Sequence, residues 1–134
     1  MNKIDTAVIS DNVAMRSFLS RLIQEVSGIE CSHFSSYTEY IEGDSLSERV
    51  FLDFGALHKS RLHPQSKIFN LKQRIPSPII VVWGEEDIRL NQEQIVNGAD
   101  DFLTPSMLTS PLFKDYLKVK FKDKWQVSNL VNFN

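Results

Sequence analysis

The stretch ERVFLDFGAL, residues 48–57, contains an apolar run that ends on a carboxylate. Val50, Phe51 and Leu52 come directly before Asp53. An unbroken apolar run of this length favours a central strand of a parallel sheet, because such a strand is buried on both faces. The acid that follows is then expected at the strand's carboxyl end, where solvent reaches the mouth of a crevice.

Outward from this stretch, short apolar runs alternate with helix-like segments. The predicted strands span residues 4–10, 29–34, 49–54, 78–84 and 100–103. The predicted helices follow the caps at residues 12 and 36, cover residues 66–74 and 85–98, and begin again at residue 110. This alternation predicts an α/β fold, a five-stranded parallel sheet with helices on both faces.

Helix ends are marked by capping residues. Asn12 is placed to cap the first helix, and Gly28 to stop it. Ser36 and Glu39 have the spacing of a capping box, and Gly43 is expected to end that short helix.

The last segment, residues 117–125, alternates apolar residues and lysines as a strand would. Phe113, Tyr116 and Phe121 instead fit a helix, with Ser110 as N-cap and Pro111 at its first position. The capping signal favours the helix. Residues 126–134 carry no usable signal.

Composition bounds the class of protein. The chain has 134 residues, 42% of them hydrophobic and 24% charged, which is typical of one globular domain, here residues 1–134 with a core at about 3–124. A net charge of -2 gives no overall attraction to nucleic acid or to an anionic membrane. A single cysteine, Cys31, excludes an internal disulfide. Without an apolar run of about 18 residues, a cytoplasmic location is expected.

Polar residues at the strand ends are candidates for a site. Ser10 and Asp11 close the first strand, Asp53 the third, and Trp83 the fourth. If the first and third strands are neighbours, Asp11 and Asp53 lie together and offer oxygen ligands to a hydrated Mg²⁺. The three histidines lack the spacing of a zinc site.

Four segments in this order resemble the response-regulator (CheY-like) receiver domain of bacterial two-component signalling. They are AVISDNVAMRSFLSRLI, VFLDF, PIIVVWG and GADDFLTP. The resemblance covers roughly residues 3–124 and implies a flavodoxin-like fold. It also implies that Asp53 is the phosphoacceptor, which would take a phosphoryl group from a histidine kinase.

The family's supporting residues are altered here. A typical receiver has two acids after strand one to hold Mg²⁺, a Thr or Ser after strand four, and a Lys after strand five. This chain has Ser10 and Asp11, then Trp83, then Thr104 before Pro105. Since these groups stabilise the charge of the transferred phosphoryl group, the resemblance is to a degenerate receiver.

Two further expectations follow from the resemblance. A weak Mg²⁺ site would use Asp11, Asp53 and the carbonyl of Gly55, with Trp83 filling or capping the pocket. Phe102 stands where the family often carries an aromatic switch residue, although sheet packing explains an aromatic there equally well.

The sequence therefore predicts a non-enzymatic receiver that acts by phosphorylation-independent protein–protein interaction. The expected surface is the fourth helix, fifth strand and last helix, with Tyr116, Lys120 and Phe121 contacting another protein or a second copy. The alternative is a receiver switched by Mg²⁺-dependent phosphorylation at Asp53, with a histidine kinase as partner. Either form could be the N-terminal module of a longer regulator.

Overall fold

Five parallel strands form one sheet in the computed structural model, which describes residues 2–43, 45–53, 64–74, 78–84 and 98–121. The strands are β1 (Asn2–Ile9), β2 (Ser32–Phe34), β3 (Ser45–Asp53), β4 (Ile79–Trp83) and β5 (Asp101–Leu103). The described helices are α1 (Val13–Ser27), α2 (Tyr37–Glu42), α3 (Pro64–Lys72), α4 (Pro105–Leu108) and α5 (Phe113–Lys120). The strand order is β2-β1-β3-β4-β5, and all neighbouring pairs are parallel. The predicted parallel α/β fold is confirmed.

The central strand β3 separates two apolar layers. Val50 and Leu52 pack into the layer that includes residues of α2 and α3, while Phe51 packs into the layer that includes residues of α1, α4 and α5. All three side chains are at most 1% exposed. Alternating side chains along a strand point to opposite faces, so the unbroken apolar run supplies both layers, as predicted.

The predicted boundaries of α1 are confirmed. The Asn12 side-chain oxygen accepts a hydrogen bond from the backbone N–H of Met15 at 3.0 Å. At the other end Gly28 has a φ of 75°, a left-handed conformation that favours glycine, and its N–H donates to the carbonyl of Gln24 at 2.8 Å. Both ends thus satisfy backbone groups that a helix leaves unpaired.

Replacing Asn12 with alanine should lower the free energy of unfolding by about 1 kcal/mol, because α1 loses its N-cap acceptor. Urea titration followed by circular dichroism measures this difference. Asn12→Ser keeps an acceptor and serves as the matched control, with an expected change of a few tenths of a kcal/mol. Equal losses in the two variants would contradict a capping role for Asn12.

The capping box at α2 is half formed. The Ser36 hydroxyl accepts from the N–H of Glu39 at 3.0 Å, as predicted. The Glu39 carboxylate, however, accepts from the N–H of Ser35 at 2.9 Å and from the Ser35 hydroxyl, one residue before the expected partner. These bonds lower the pKa of Glu39. The helix start is therefore correct, while the reciprocal partner is shifted by one residue.

The carboxyl-terminal segment differs from the prediction at its start. It is a helix and not a strand, but α5 begins at Phe113, and its N-cap is Leu112 without a side-chain cap. Ser110 instead accepts from the N–H of Leu112 at 3.1 Å and supports the turn before the helix. A short helix, α4, precedes this turn and was not predicted.

Several predicted features lie outside the described residues. They are most of the fourth helix at residues 85–98, the loop at residues 54–63 and the tail at residues 126–134. In the part of the chain that the structure describes, every helix is too short or too polar to cross a lipid bilayer.

Candidate functional site

The predicted site residues gather at the carboxyl edge of the sheet. β1 and β3 are neighbours in a register that pairs Ile9 with Leu52, so Ser10 comes beside Asp53. β3 and β4 are also neighbours, and Asp53 pairs directly with Trp83. The first and third strands are thus neighbours, which was the condition for Asp11 and Asp53 to lie together.

Ser10 makes four hydrogen bonds at this edge. Its side chain is fully buried, and its hydroxyl donates to Oδ2 of Asp53 at 2.7 Å. The same hydroxyl oxygen accepts from the N–H of Asn12 at 3.1 Å. The Ser10 N–H donates to the carbonyl of Phe34 at 3.0 Å, and its carbonyl accepts from Nη1 of Arg16 at 2.6 Å. Ser10 thus joins the ends of β1, β2 and β3 to the start of α1.

Arg16 was missed by the sequence analysis. Its guanidinium lies in the second turn of α1, and its Nε is buried without a hydrogen-bond partner among the described residues. A cation near a helix N-terminus opposes the helix dipole. An arginine at this unfavourable position was the sequence signal that Arg16 makes a contact outside its own helix.

Trp83 brings an apolar ring to the strand end beside Asp53. It is 2% exposed and belongs to the apolar layer with Leu103 and Phe113. A hydroxyl at this position would be a small donor, whereas the indole offers one N–H and a large surface. The strand end next to Asp53 is therefore largely hydrophobic.

Thr104 and Phe102 take local roles. The Thr104 hydroxyl accepts from the N–H of Met107 at 3.2 Å and caps α4, and Pro105 occupies the first helical turn. Phe102 is half-buried against the layer that includes α2 and α3, next to Val82 of β4. Thr104 supplies no positive charge, and the switch role of Phe102 stays a prediction.

The described residues fit a hydrated Mg²⁺ poorly. Asp11 is exposed, Oδ2 of Asp53 already accepts the Ser10 hydroxyl, and Gly55 lies outside the described residues. Across residues 2–43, 45–53, 64–74, 78–84 and 98–121, the structure brings together no group of three acidic, histidine or cysteine side chains. Mg²⁺ is usually held by one or two carboxylates with water at its remaining positions, and here the Ser10 hydroxyl already occupies one oxygen of the predicted carboxylate pair.

One residue of the predicted partner surface is wrongly assigned. Phe121 is fully buried, with its ring stacked on that of Phe51 at 6.1 Å between centroids. The Arg49 guanidinium lies 4.6 Å from the same ring. Phe121 therefore belongs to the core, because the spacing that fits a helix places it below Phe113 and Leu117 on the inner face.

Tyr116 and Lys120, the other two predicted surface residues, are both bonded to Asp101 at the start of β5. The Tyr116 hydroxyl donates to Oδ2 at 3.0 Å, and the Lys120 ammonium forms an ion pair with the same oxygen. Burial, followed by the charge of Asp101, raises the pKa of Tyr116. These contacts fix α5 against β5.

A second apolar face of α5 is open to solvent. Leu112 and Val119 are 70% and 69% exposed, and Met107 is 40% exposed. Leu112, Tyr116 and Val119 follow the spacing of one face of α5, and Met107 of α4 lines a pocket with Leu112 and Tyr116. We call these four residues the α5 stripe (Met107, Leu112, Tyr116, Val119). This pocket, of about 200 Å³, is completed by Ser110 and Phe113. The sequence analysis missed Leu112 and Val119, although both lie one helical turn from Tyr116.

The cysteine and the described histidine do not form a reactive site. Cys31 packs against the layer that includes α1, and burial raises the pKa of its thiol to about 12, so the thiol stays protonated. The predicted role of a small core residue fits this position. His33 is exposed, with Nε2 at 2.6 Å from the Ser20 hydroxyl. His58 and His63 lie outside the described residues.

Comparison with solved structures gives matches over nearly the whole chain. The receiver domain of NtrX from Brucella abortus is 23% identical, with a TM-score of 0.70 over 91% of this chain and 98% of that one. A CheY-like response regulator receiver domain protein from Methanospirillum hungatei is 14% identical, with a TM-score of 0.66 over 96% and 97%. A longer NtrX structure from Brucella abortus is 23% identical, with a TM-score of 0.70, and this chain covers 28% of it. No protein-family model and no curated protein sequence matches the chain.

Proposed function

We propose that this chain, which has the fold of response-regulator receiver domains, works by binding another protein without phosphorylation of Asp53. The observation that carries the proposal is the set of side chains at the described strand ends where receivers place the groups that stabilise a phosphoryl group. They are a hydroxyl bonded to Asp53, a buried indole and a threonine that caps a helix. On this proposal the protein is not an enzyme, and its location is cytoplasmic.

The physical reason is charge. A phosphoryl group in transfer carries negative charge on its oxygens, and proteins stabilise it with cations, metal ions and hydrogen-bond donors. Each such donor is worth roughly 3–4 kcal/mol of the barrier, so the loss of two of them slows transfer by several orders of magnitude. Neither Trp83 nor Thr104 brings a positive charge to the strand ends.

Incubation with acetyl phosphate and Mg²⁺ tests the proposal, with intact mass as the readout. We expect no mass increase of one phosphoryl group, under conditions where a phosphorylatable receiver is modified. A stable adduct that disappears in Asp53→Asn would overturn the proposal. A Trp83→Thr, Thr104→Lys double variant is the positive control, because it returns a hydroxyl and a cation to the site.

The α5 stripe is the proposed docking surface. Lys118 lies in the same helix beside the stripe, and Lys120 borders it. Lys120 is already paired with Asp101, whereas Lys118 is 47% exposed and lies 3.8 Å from Asp115. A second copy packed symmetrically on this face would bring the two Lys118 side chains together, which is unfavourable. The proposed occupant is therefore a different protein whose apolar ridge is flanked by carboxylates.

Photo-crosslinking in cells that naturally produce this protein tests whether a partner binds the α5 stripe. A photoreactive residue in place of Val119 should give one discrete adduct, and Leu112→Asp should abolish it, because a buried unpaired carboxylate is costly at an interface. The same residue in place of Gln24, exposed on α1, is the matched control and should give no such adduct. An adduct of two copies of this chain would assign the stripe to self-association, and no adduct would reject docking there.

The runner-up function is a phosphorylated switch. The observation in its favour is that Asp53 stands at a partly exposed strand end, as a phosphoacceptor must. A histidine kinase would then be the partner, and the acetyl phosphate experiment separates the two functions. This chain matches only 28% of the longer NtrX structure, whose receiver is one part of a larger chain. With either function, this protein could likewise act as one module of a larger regulator.

A further inference from the structure

We propose that Ser10 is a positioning residue that holds the Asp53 carboxylate in the place where receivers would use a divalent cation. The inference rests on the proposed function and deepens it, since a carboxylate held by a hydroxyl needs neither metal nor phosphate to keep its position. The reason is that Ser10, Asp53 and Trp83 do not form the set of ligands that a magnesium ion needs.

The direction of the Ser10 hydroxyl is fixed by its surroundings. Its oxygen accepts from the N–H of Asn12, so its own proton points to the Asp53 oxygen 2.7 Å away. The Ser10 side chain is fully buried, and its backbone groups are bonded to Phe34 and Arg16. A rotated hydroxyl would leave a buried donor and acceptor unpaired, which is costly.

A cation on Asp53 would compete with this arrangement. Mg²⁺ binds carboxylate oxygens at about 2.0–2.1 Å, so a cation on Oδ2 would compete with the Ser10 hydroxyl for the lone pairs of that oxygen. The Ser10 oxygen is a neutral acceptor already engaged by an N–H. The neighbouring strand contributes a buried indole at Trp83, which has no oxygen ligand.

Arg16 extends the same network with positive charge. Its guanidinium donates to the Ser10 carbonyl at 2.6 Å. The hydroxyl of the same residue contacts Asp53. The Arg16 bond anchors the backbone of Ser10, while the Ser10 hydroxyl makes its own bond to the carboxylate. The position of the carboxylate is thereby linked to the start of α1 through Ser10.

A magnesium titration of four proteins tests the proposal: the natural chain, Ser10→Thr, Ser10→Asp and Ser10→Ala. In the natural chain and in Ser10→Thr, which keeps the hydroxyl, the ¹³C carboxyl signal of Asp53 should not respond to Mg²⁺ in the millimolar range. Ser10→Asp replaces the donor with a ligand and should bind Mg²⁺ at least tenfold more tightly than the natural chain. Mg²⁺ at about ten times that dissociation constant should raise its Tm by several degrees.

Ser10→Ala keeps the proposal testable if Ser10→Asp does not fold. Without the hydroxyl, the Asp53 carboxyl signal should move from its natural position, and Ser10→Thr should restore it. An unchanged signal in Ser10→Ala would overturn the proposal, because the contact would then have no effect on the carboxylate. A saturable magnesium response of Asp53 in the natural chain would also overturn it, as would a folded Ser10→Asp that ignores Mg²⁺.

Failure of the proposal for Ser10 can be distinguished from failure of the proposed function. A phosphoryl adduct on Asp53 without a magnesium response in the natural chain would reject phosphorylation-independent action and leave the role of Ser10 standing. A magnesium response of Asp53 in the natural chain without a phosphoryl adduct would reject the role of Ser10 and leave phosphorylation-independent action standing.

Discussion

Replacing Asp5 with alanine is expected to lower the free energy of unfolding by about 3 kcal/mol. Nη1 of Arg49 lies 2.9 Å from Oδ1 of Asp5, and the Arg49 side chain is only 6% exposed. The same oxygen accepts from the hydroxyl of Thr6, which is fully buried. Removing the carboxylate therefore takes a counter-ion 2.9 Å away from a buried guanidinium and the acceptor from a buried hydroxyl.

Urea unfolding followed by circular dichroism measures this loss. Glu48→Ala is the matched control, because Glu48 lies 3.6 Å from the same Nη1 but is 41% exposed, and its removal should change stability by less than about 0.5 kcal/mol. The double variant Asp5→Leu, Arg49→Met should recover most of the loss, since an apolar pair of similar volume replaces a buried ion pair at little cost. Equal effects of Asp5→Ala and Glu48→Ala would show that burial does not set the strength of this pair.

Replacing Lys67 with methionine is expected to raise the free energy of unfolding by roughly 1–3 kcal/mol at neutral pH. The Lys67 side chain is fully buried in α3, and its Nζ has no hydrogen-bond partner within the described ranges. The ring of Tyr37, 5.7 Å away, offers only a cation–π contact. Methionine keeps the unbranched shape and removes the buried polar group.

The pH dependence of Lys67 provides an independent check. Desolvation lowers its pKa below the ordinary lysine value. The unfolded chain therefore holds this proton at pH values where the folded chain has released it, and the stability contributed by Lys67 rises as pH increases from the lowered pKa toward about 10.5. Lys67→Met should remove this contribution to the pH dependence of the free energy of unfolding. Phe69 is exposed in the same helix, and Phe69→Met should leave that pH dependence unchanged. Identical slopes in the natural chain and in Lys67→Met would contradict the burial of a titrating ammonium.

Local sequence signals predicted most of the fold. The apolar run of β3, the caps of α1 and the acid at Asp53 each depend on neighbours a few residues apart, and the strand order then brought Ser10 and Asp53 to one edge. The Ser10 contact itself spans 43 residues of sequence, and no local pattern specifies a side-chain hydrogen bond at that separation. The sequence placed Ser10 at the end of the first strand but did not predict that its hydroxyl donates directly to the carboxylate.

Other differences arise from tertiary burial. Lys67 lies in a polar-looking helix, and only the approach of Tyr37 from α2 reveals that its side chain is enclosed. Phe121 was assigned to the surface by its basic neighbours, although its spacing from Phe113 and Leu117 already pointed to the inner face. The cap of α4 was within reach of sequence analysis, because Thr104 followed by Pro105 is a common helix start.

The charged contacts of this protein are unevenly distributed along the sheet. Arg49 with Asp5, Lys72 with Asp100 and Lys120 with Asp101 all lie toward the amino-terminal half of the strands, whereas the opposite edge relies on the neutral donor of Ser10. Ionic strength weakens exposed charge pairs more than neutral hydrogen bonds. Concentrated salt should therefore loosen the attachment of α3 and α5 at one end of the molecule, while the Asp53 end keeps its geometry.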